Sequence, residues 1–279
     1  EVSGPYAAGM VGDSAKGVQA TSCVNTGAIT STNKGAGGIA NHHIDAGAEF
    51  AFTNCVNTGT ISGKGAVGGI TGTIMRIVPG KDVVFTSCIN TGKIIGSDNT
   101  GGIGGNFLFD NNSETNAKVV MTNCVNIGDV TSSVVNVGGL IGYAWTSNRV
   151  GLDVQNCIVA GTVTSTGDRA GAICGYANTT VITFKNNVIA ATVKANVSTH
   201  LYYATGTSNL TASGNIANNL VKPGSAMYDT QKGHGATKVD LGANSTGTTT
   251  VNDFAIDSTL TANTLLAAGI APTVDGKYS

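Results

Sequence analysis

Charge is scarce in this chain. Asp, Glu, Lys and Arg make up 11 % of its 279 residues and balance to a net −1, against roughly 25 % in ordinary globular domains. No block of like charges occurs, so the basic face that a nucleic-acid partner needs to neutralise phosphates is missing. No apolar run approaches the roughly 20 residues of a membrane span. Aromatic residues are only 5 %, which calls for a core of small and β-branched side chains and favours thin stacked sheets over a bulky globule. The six cysteines include no close Cys-x-x-Cys pair, so a zinc site is not expected.

Glycine and small apolar residues fill the gap. Gly accounts for 40 positions and hydrophobic residues for 41 %, too apolar for a disordered chain. The length suits one elongated domain or two compact ones. Glu1 at the start and the wealth of Thr, Ser, Asn and Gly point to a processed or excised product, secreted or displayed at a cell surface.

Internal repetition is the main signal. Five segments align: Cys23-Val-Asn-Thr-Gly27, Cys55-Val-Asn-Thr-Gly59, Cys88-Ile-Asn-Thr-Gly92, Cys124-Val-Asn-Ile-Gly128 and Cys157-Ile-Val-Ala-Gly161. Their cysteines lie 32, 33, 36 and 33 residues apart. A sixth copy carries Asn187 in the cysteine position, and a degenerate seventh carries Asn215. A second motif follows each cysteine by about 14 residues: Gly37-Gly-Ile-Ala40, Gly68-Gly-Ile-Thr-Gly72, Gly101-Gly-Ile-Gly-Gly105, Gly138-Gly-Leu-Ile-Gly142 and Gly171-Ala-Ile-Cys-Gly175.

These phased motifs resemble the Glug repeats (Gly-Gly-Leu/Ile-x-Gly) of large bacterial surface proteins and adhesins, over roughly residues 6 to 205. The resemblance implies a bacterial, exported, β-helical surface module and brings no catalytic residues with it.

Physics leads to the same fold. Stretches such as Val83-Val-Phe-Thr-Ser-Cys-Ile-Asn favour extended backbone, and Gly and Asn follow where a strand must bend. A repeat of about 33 residues supplies three short strands and three corners, hence one coil of a right-handed parallel β-helix. Six or seven coils about 4.8 Å apart predict a rod roughly 30 Å long. Residues 1–205 form the solenoid in this reading. Residues 206–279 hold degenerate last coils, an irregular stretch over 223–250, and a C-terminal cap with a short helix near 258–269, N-capped by Ser258 and ended by Gly269. The first coil begins without an evident cap, which suggests either a removed upstream segment or end-to-end association with another copy.

Stacked repeats turn sequence positions into columns. Cys23, Cys55, Cys88, Cys124 and Cys157 should form an internal ladder of free thiols, because the strand spacing exceeds disulfide Cβ distances. Cys174, in the glycine motif, replaces Thr71 or Ile141 in register and is expected in the core; a bridge from it to a column cysteine is the alternative. Asn25, Asn57, Asn90 and Asn126 should stack with each amide donating to the next carbonyl. Gly38, Gly69, Gly102 and Gly139 fit tight turns.

Candidate chemistry is thin beside this. Asp and Glu fall about two per coil in unlike repeat positions, as do Arg76, Arg149 and Arg169, so the converging carboxylates of a β-helix lyase or glycosidase are not evident. Asn41-His-His-Ile-Asp45 reads first as a solvated loop, and Asp110-Asn-Asn-Ser-Glu114 lacks the ligand alternation of a calcium loop. Threonine columns (Thr26, Thr58, Thr91; Thr30, Thr131, Thr164) are too interrupted for an ice-binding array. The variable stretches 41–52, 73–84, 106–119 and 143–154 should protrude from one edge as binding loops, presenting His42, His43, Asp45, Phe50, Phe107, Phe109, Tyr143 and Trp145. The expectation is a non-enzymatic extracellular structural or adhesive protein without cofactor, self-associating or bound to a glycan or host surface. The alternatives are a glycan-binding adhesin module or a carbohydrate-active β-helix enzyme.

Overall fold

The computed structural model describes residues 2–14, 17–44, 49–77, 80–109, 117–145, 151–178, 181–195, 199–204, 209–217, 250–251 and 254–256. Among these residues every regular element is a β-strand. Pairing is parallel throughout, except for one short antiparallel step between Thr250–Val251 and Phe254–Ile256.

One coil shows how the sequence makes the elements. Val83–Thr86 is extended, its side chains alternating inward and outward. Ser87 then takes a left-handed conformation, φ 53°, and turns the chain so that Cys88 faces inward and Ile89–Asn90 starts a second sheet. Ile94–Gly101 and Gly104–Phe109 complete the circuit in the third. The following coil lands in register, with Val83 beside Val119, Ile89 beside Val125, Ile94 beside Val130 and Gly104 beside Ile141.

The result is a β-solenoid of about 5 turns, slightly fewer than the six or seven expected. Its sheets contain seven, nine and seventeen strands. Toward the C-terminal end the step shortens to 30 residues from Cys157 to Asn187 and 28 from Asn187 to Asn215. Both asparagines are buried. The expected helix over 258–269 and most of the stretch 223–250 lie outside the described residues. No helix among the described residues is long and apolar enough to cross a membrane.

The core runs along the axis as inward columns, such as Ile29, Ile61, Ile94, Val130 and Val163, all buried. Several phenylalanines sit here too. Phe52 and Phe85 stack with centroids 5.0 Å apart, and Phe107 meets Phe85 edge-on at 5.8 Å. This corrects the expectation that Phe50, Phe107 and Phe109 protrude. They are 2 %, 0 % and 4 % exposed, because each lies inside a strand at inward parity. Along Gly104–Phe109, positions 107 and 109 point in while 106 and 108 point out.

Candidate binding face

The repeated polar positions resolve into ladders. Cys55, Cys88, Cys124 and Cys157 are buried, and Cys23 is partly exposed; none forms a disulfide. Each buried thiol donates to the same backbone carbonyl of the preceding coil: Cys55 to Ala20, Cys88 to Phe52, Cys124 to Phe85 and Cys157 to Met121, at 3.5, 3.2, 3.6 and 3.5 Å. Burial pushes Cys88 and Cys157 well above the ordinary thiol value. Cys174 pairs in register with Ile141 and Tyr202. Its thiol donates to the Tyr176 carbonyl at 3.3 Å, and burial pushes it up to about 12.

Asn25, Asn57, Asn90 and Asn126 form the second ladder. The first three amides each donate to the next side-chain oxygen at 2.7 Å. Each also donates to the carbonyl two residues on, at 2.9 Å for the first three and 3.0 Å for Asn126. Glycine makes room for it. A Cβ at Gly102 would lie 2.1 Å from the Gly139 carbonyl oxygen and 2.4 Å from the Asn126 side chain. Where Val159 replaces asparagine the ladder stops, and the second motif glycine becomes Ala172.

Two further columns escaped the sequence reading. Ser22, Asn54, Ser87, Asn123, Asn156 and Asn186, each just before the column residue, all have φ between 53° and 56°. The signal was there: Ser or Asn at every such site, and Gly214 before Asn215 with φ 64°. The second column is a shorter ladder in which Asn136 donates to Asn99 at 2.7 Å and Arg169 donates to Asn136 at 3.1 Å. Its irregular spacing hides it from a repeat search. Arg169 also donates to Asp168 at 3.2 Å and lies 5.0 Å from the centre of the Tyr176 ring.

Non-repeated residues gather on one outward line of the seventeen-stranded sheet. Register places Asp13, His42, Thr73, Asn106, Tyr143 and Tyr176 side by side along the axis. Met75, Leu108 and Trp145 form the neighbouring outward line. At one end His42 meets Asp13 at 3.2 Å and the Tyr6 ring at 4.5 Å, with Lys34 Nζ 5.0 Å from the centre of that same Tyr6 ring. At the other, Tyr143 and Tyr176 stack at 5.0 Å and 11°. Burial, then Tyr176, pushes the Tyr143 phenol up to about 12, so it stays a hydrogen-bond donor. Asn106 Oδ1 is sealed from solvent with no hydrogen-bond partner among the described residues.

The binding-loop expectation therefore divides. Tyr143 and Trp145 face outward and half-buried, two residues apart on Ile141–Trp145. His43 points inward and is 0 % exposed, against Phe50 at 5.7 Å, so the His-His pair is split between surface and core rather than looped together. Asp45, Arg149 and Asp110 to Glu114 lie outside the described residues. No group of three or more His, Cys, Asp or Glu able to hold a metal ion occurs among the described residues. The threonine column is broken too: Thr30, Thr131 and Thr164 share a line with Ser62 and Ile95. No family model, curated protein or solved structure matches the chain.

Proposed function

We propose that this chain is a non-enzymatic, exported structural or adhesive surface element, built as a rod that displays a contact face. The supporting observation is the division of labour among its polar side chains. Those that recur, from Cys55 to Cys157 and Asn25 to Asn126, bond the rod to itself. Several that vary, His42, Asn106, Tyr143 and Tyr176, share one outward line, the usual placement of ligand contacts on stacked repeats. The resemblance to Glug repeats supports a bacterial cell-surface origin.

Electron microscopy of the purified chain, combined with a product assay on polysaccharides, tests this. Rods or end-to-end filaments that release no reducing ends are expected. Sustained release of sugar product overturns the reading in favour of a carbohydrate-active enzyme.

A further inference from the structure

We propose that the outward strip of Met75, Asn106, Leu108, Tyr143, Trp145 and Tyr176 binds a neutral polysaccharide laid along the solenoid axis. The proposal rests on the adhesive reading above and names its ligand class. Four coils contribute, so the strip extends about 14 Å along the axis and about 7 Å across it. That is far below the roughly 800 Å² per partner of a stable protein interface, but it suits a narrow chain.

The chemistry is amphipathic and uncharged. Leu108, Met75 and Trp145 give an apolar floor, and Tyr143 and Tyr176 add rings with hydroxyl tips; all are half-buried. Pyranose rings offer the matching pair of surfaces, an apolar C–H face and a rim of hydroxyls. Asn106 adds an amide whose oxygen has no hydrogen-bond partner among the described residues, so turning that oxygen toward a ligand hydroxyl breaks no bond it now makes.

Charge selects among ligands. Arg169, a cation beside Tyr176, is already bonded to Asp168 and Asn136. Arg169 lowers and Asp98 raises the Tyr143 phenol, so the charges that act on it oppose each other and favour neither sign of ligand. A nucleic acid would need several cations here. The rings are also fixed in advance: Tyr143 stacks on Tyr176, whose ring lies 5.0 Å from the Arg169 guanidinium, so binding costs little side-chain entropy.

Affinity electrophoresis of the full chain in gels containing a β-glucan, a xylan or a galactomannan, with alginate and duplex DNA as anionic controls, tests the strip. At least one neutral polymer should retard the protein. Trp145→Ala and Asn106→Ala should each weaken that retardation about tenfold or more, with urea midpoints unchanged, while Thr86→Ala on another sheet leaves it intact. Retardation by the anionic polymers alone overturns the proposal, as does neutral binding that survives both strip variants. So does the absence of any retardation; if the chain still forms rods without releasing product, only the strip falls and the surface-element reading stands.

Discussion

The side-chain oxygen of Asn187 accepts the backbone N–H of Cys157 at 2.9 Å, and its amide donates to the Val154 carbonyl at 2.9 Å. One coil earlier the Cys157 thiol donates to Met121, the equivalent carbonyl. Asn215 repeats the bond to Phe184 at 2.8 Å. The column thus selects a small side chain with a donor, and the thiols do more than fill space. Cys157→Asn should fold within about 1 kcal/mol of the parent, whereas Cys157→Val should lose about 1–2 kcal/mol by removing the buried donor that the Met121 and Gln155 carbonyls share. Urea unfolding midpoints decide; a valine variant as stable as the asparagine one would remove the donor from the explanation.

Hydrogen bonds in a buried chain polarise one another, so the middle of the asparagine ladder should matter more than its end. Asn90 donates to Gly92 and Asn126 and accepts from Asn57. Asn25 lies at the start of the ladder and is 9 % exposed. Truncating Asn90 to Ala strands buried partners on both sides and should cost about 2–4 kcal/mol. Asn25→Ala should cost roughly half as much. Equal losses by chemical denaturation would mean the rungs act independently.

Left-handed corners yield a sharper contrast. Ser87 has φ 53°, while Thr86 beside it is in an extended strand. A β-branched residue is costly in the left-handed region and at home in a strand. Ser87→Val should therefore destabilise by about 1–2 kcal/mol and Thr86→Val by much less. Thermal melts of the two variants, with the same side chain introduced one residue apart, test the corner.

Much of the solenoid was legible because stacking imposes one constraint on every coil. Cysteine, asparagine and glycine each recur at about 33 residues, and their columns follow from that period alone. What the sequence hid were features outside the period. Phe107 sits in a variable stretch, which suggested a loop, yet strand parity turns it inward onto Phe85. The rung from Arg169 to Asn136 pairs unlike residues, so no repeat marks it. Outward facing at Tyr143 and Trp145 was legible in part, but their alignment with Asn106 and Leu108 needs the register.

His43 gives the rod an acid-sensitive point. It is 0 % exposed, and neither ring nitrogen has a hydrogen-bond partner among the described residues. Burial, and then the adjacent His42, lower it to about 4, against an opposing pull from Asp13. An unfolded histidine takes up a proton near pH 6.5, while the folded one resists until about 4. The stability from keeping it neutral is full above pH 6.5 and is lost as pH falls through that window, by about 3 kcal/mol. Unfolding free energies from pH 7 to pH 4 should show this fall in the parent and a shallower one in His43→Leu. Parallel slopes would mean that other groups set the acid limit.

Thiol reactivity tests the cysteine column most directly, and Cys55 is the telling position. The hydrogen bond from Cys88, working against burial, lowers Cys55 to about 7, so at neutral pH its protonation state offers little protection. Only enclosure does: its exposure is 0 %, as for Cys88, Cys124, Cys157 and Cys174. Cys23, in the first coil, is partly exposed. Maleimide labelling of the native protein at pH 7.5 should therefore add one group, at Cys23, with the other five reacting only after unfolding. Intact mass with and without urea reads both states. Rapid native labelling at Cys55 would show that its coil opens on the timescale of the reaction, and the column would then be a breathing edge instead of a sealed core.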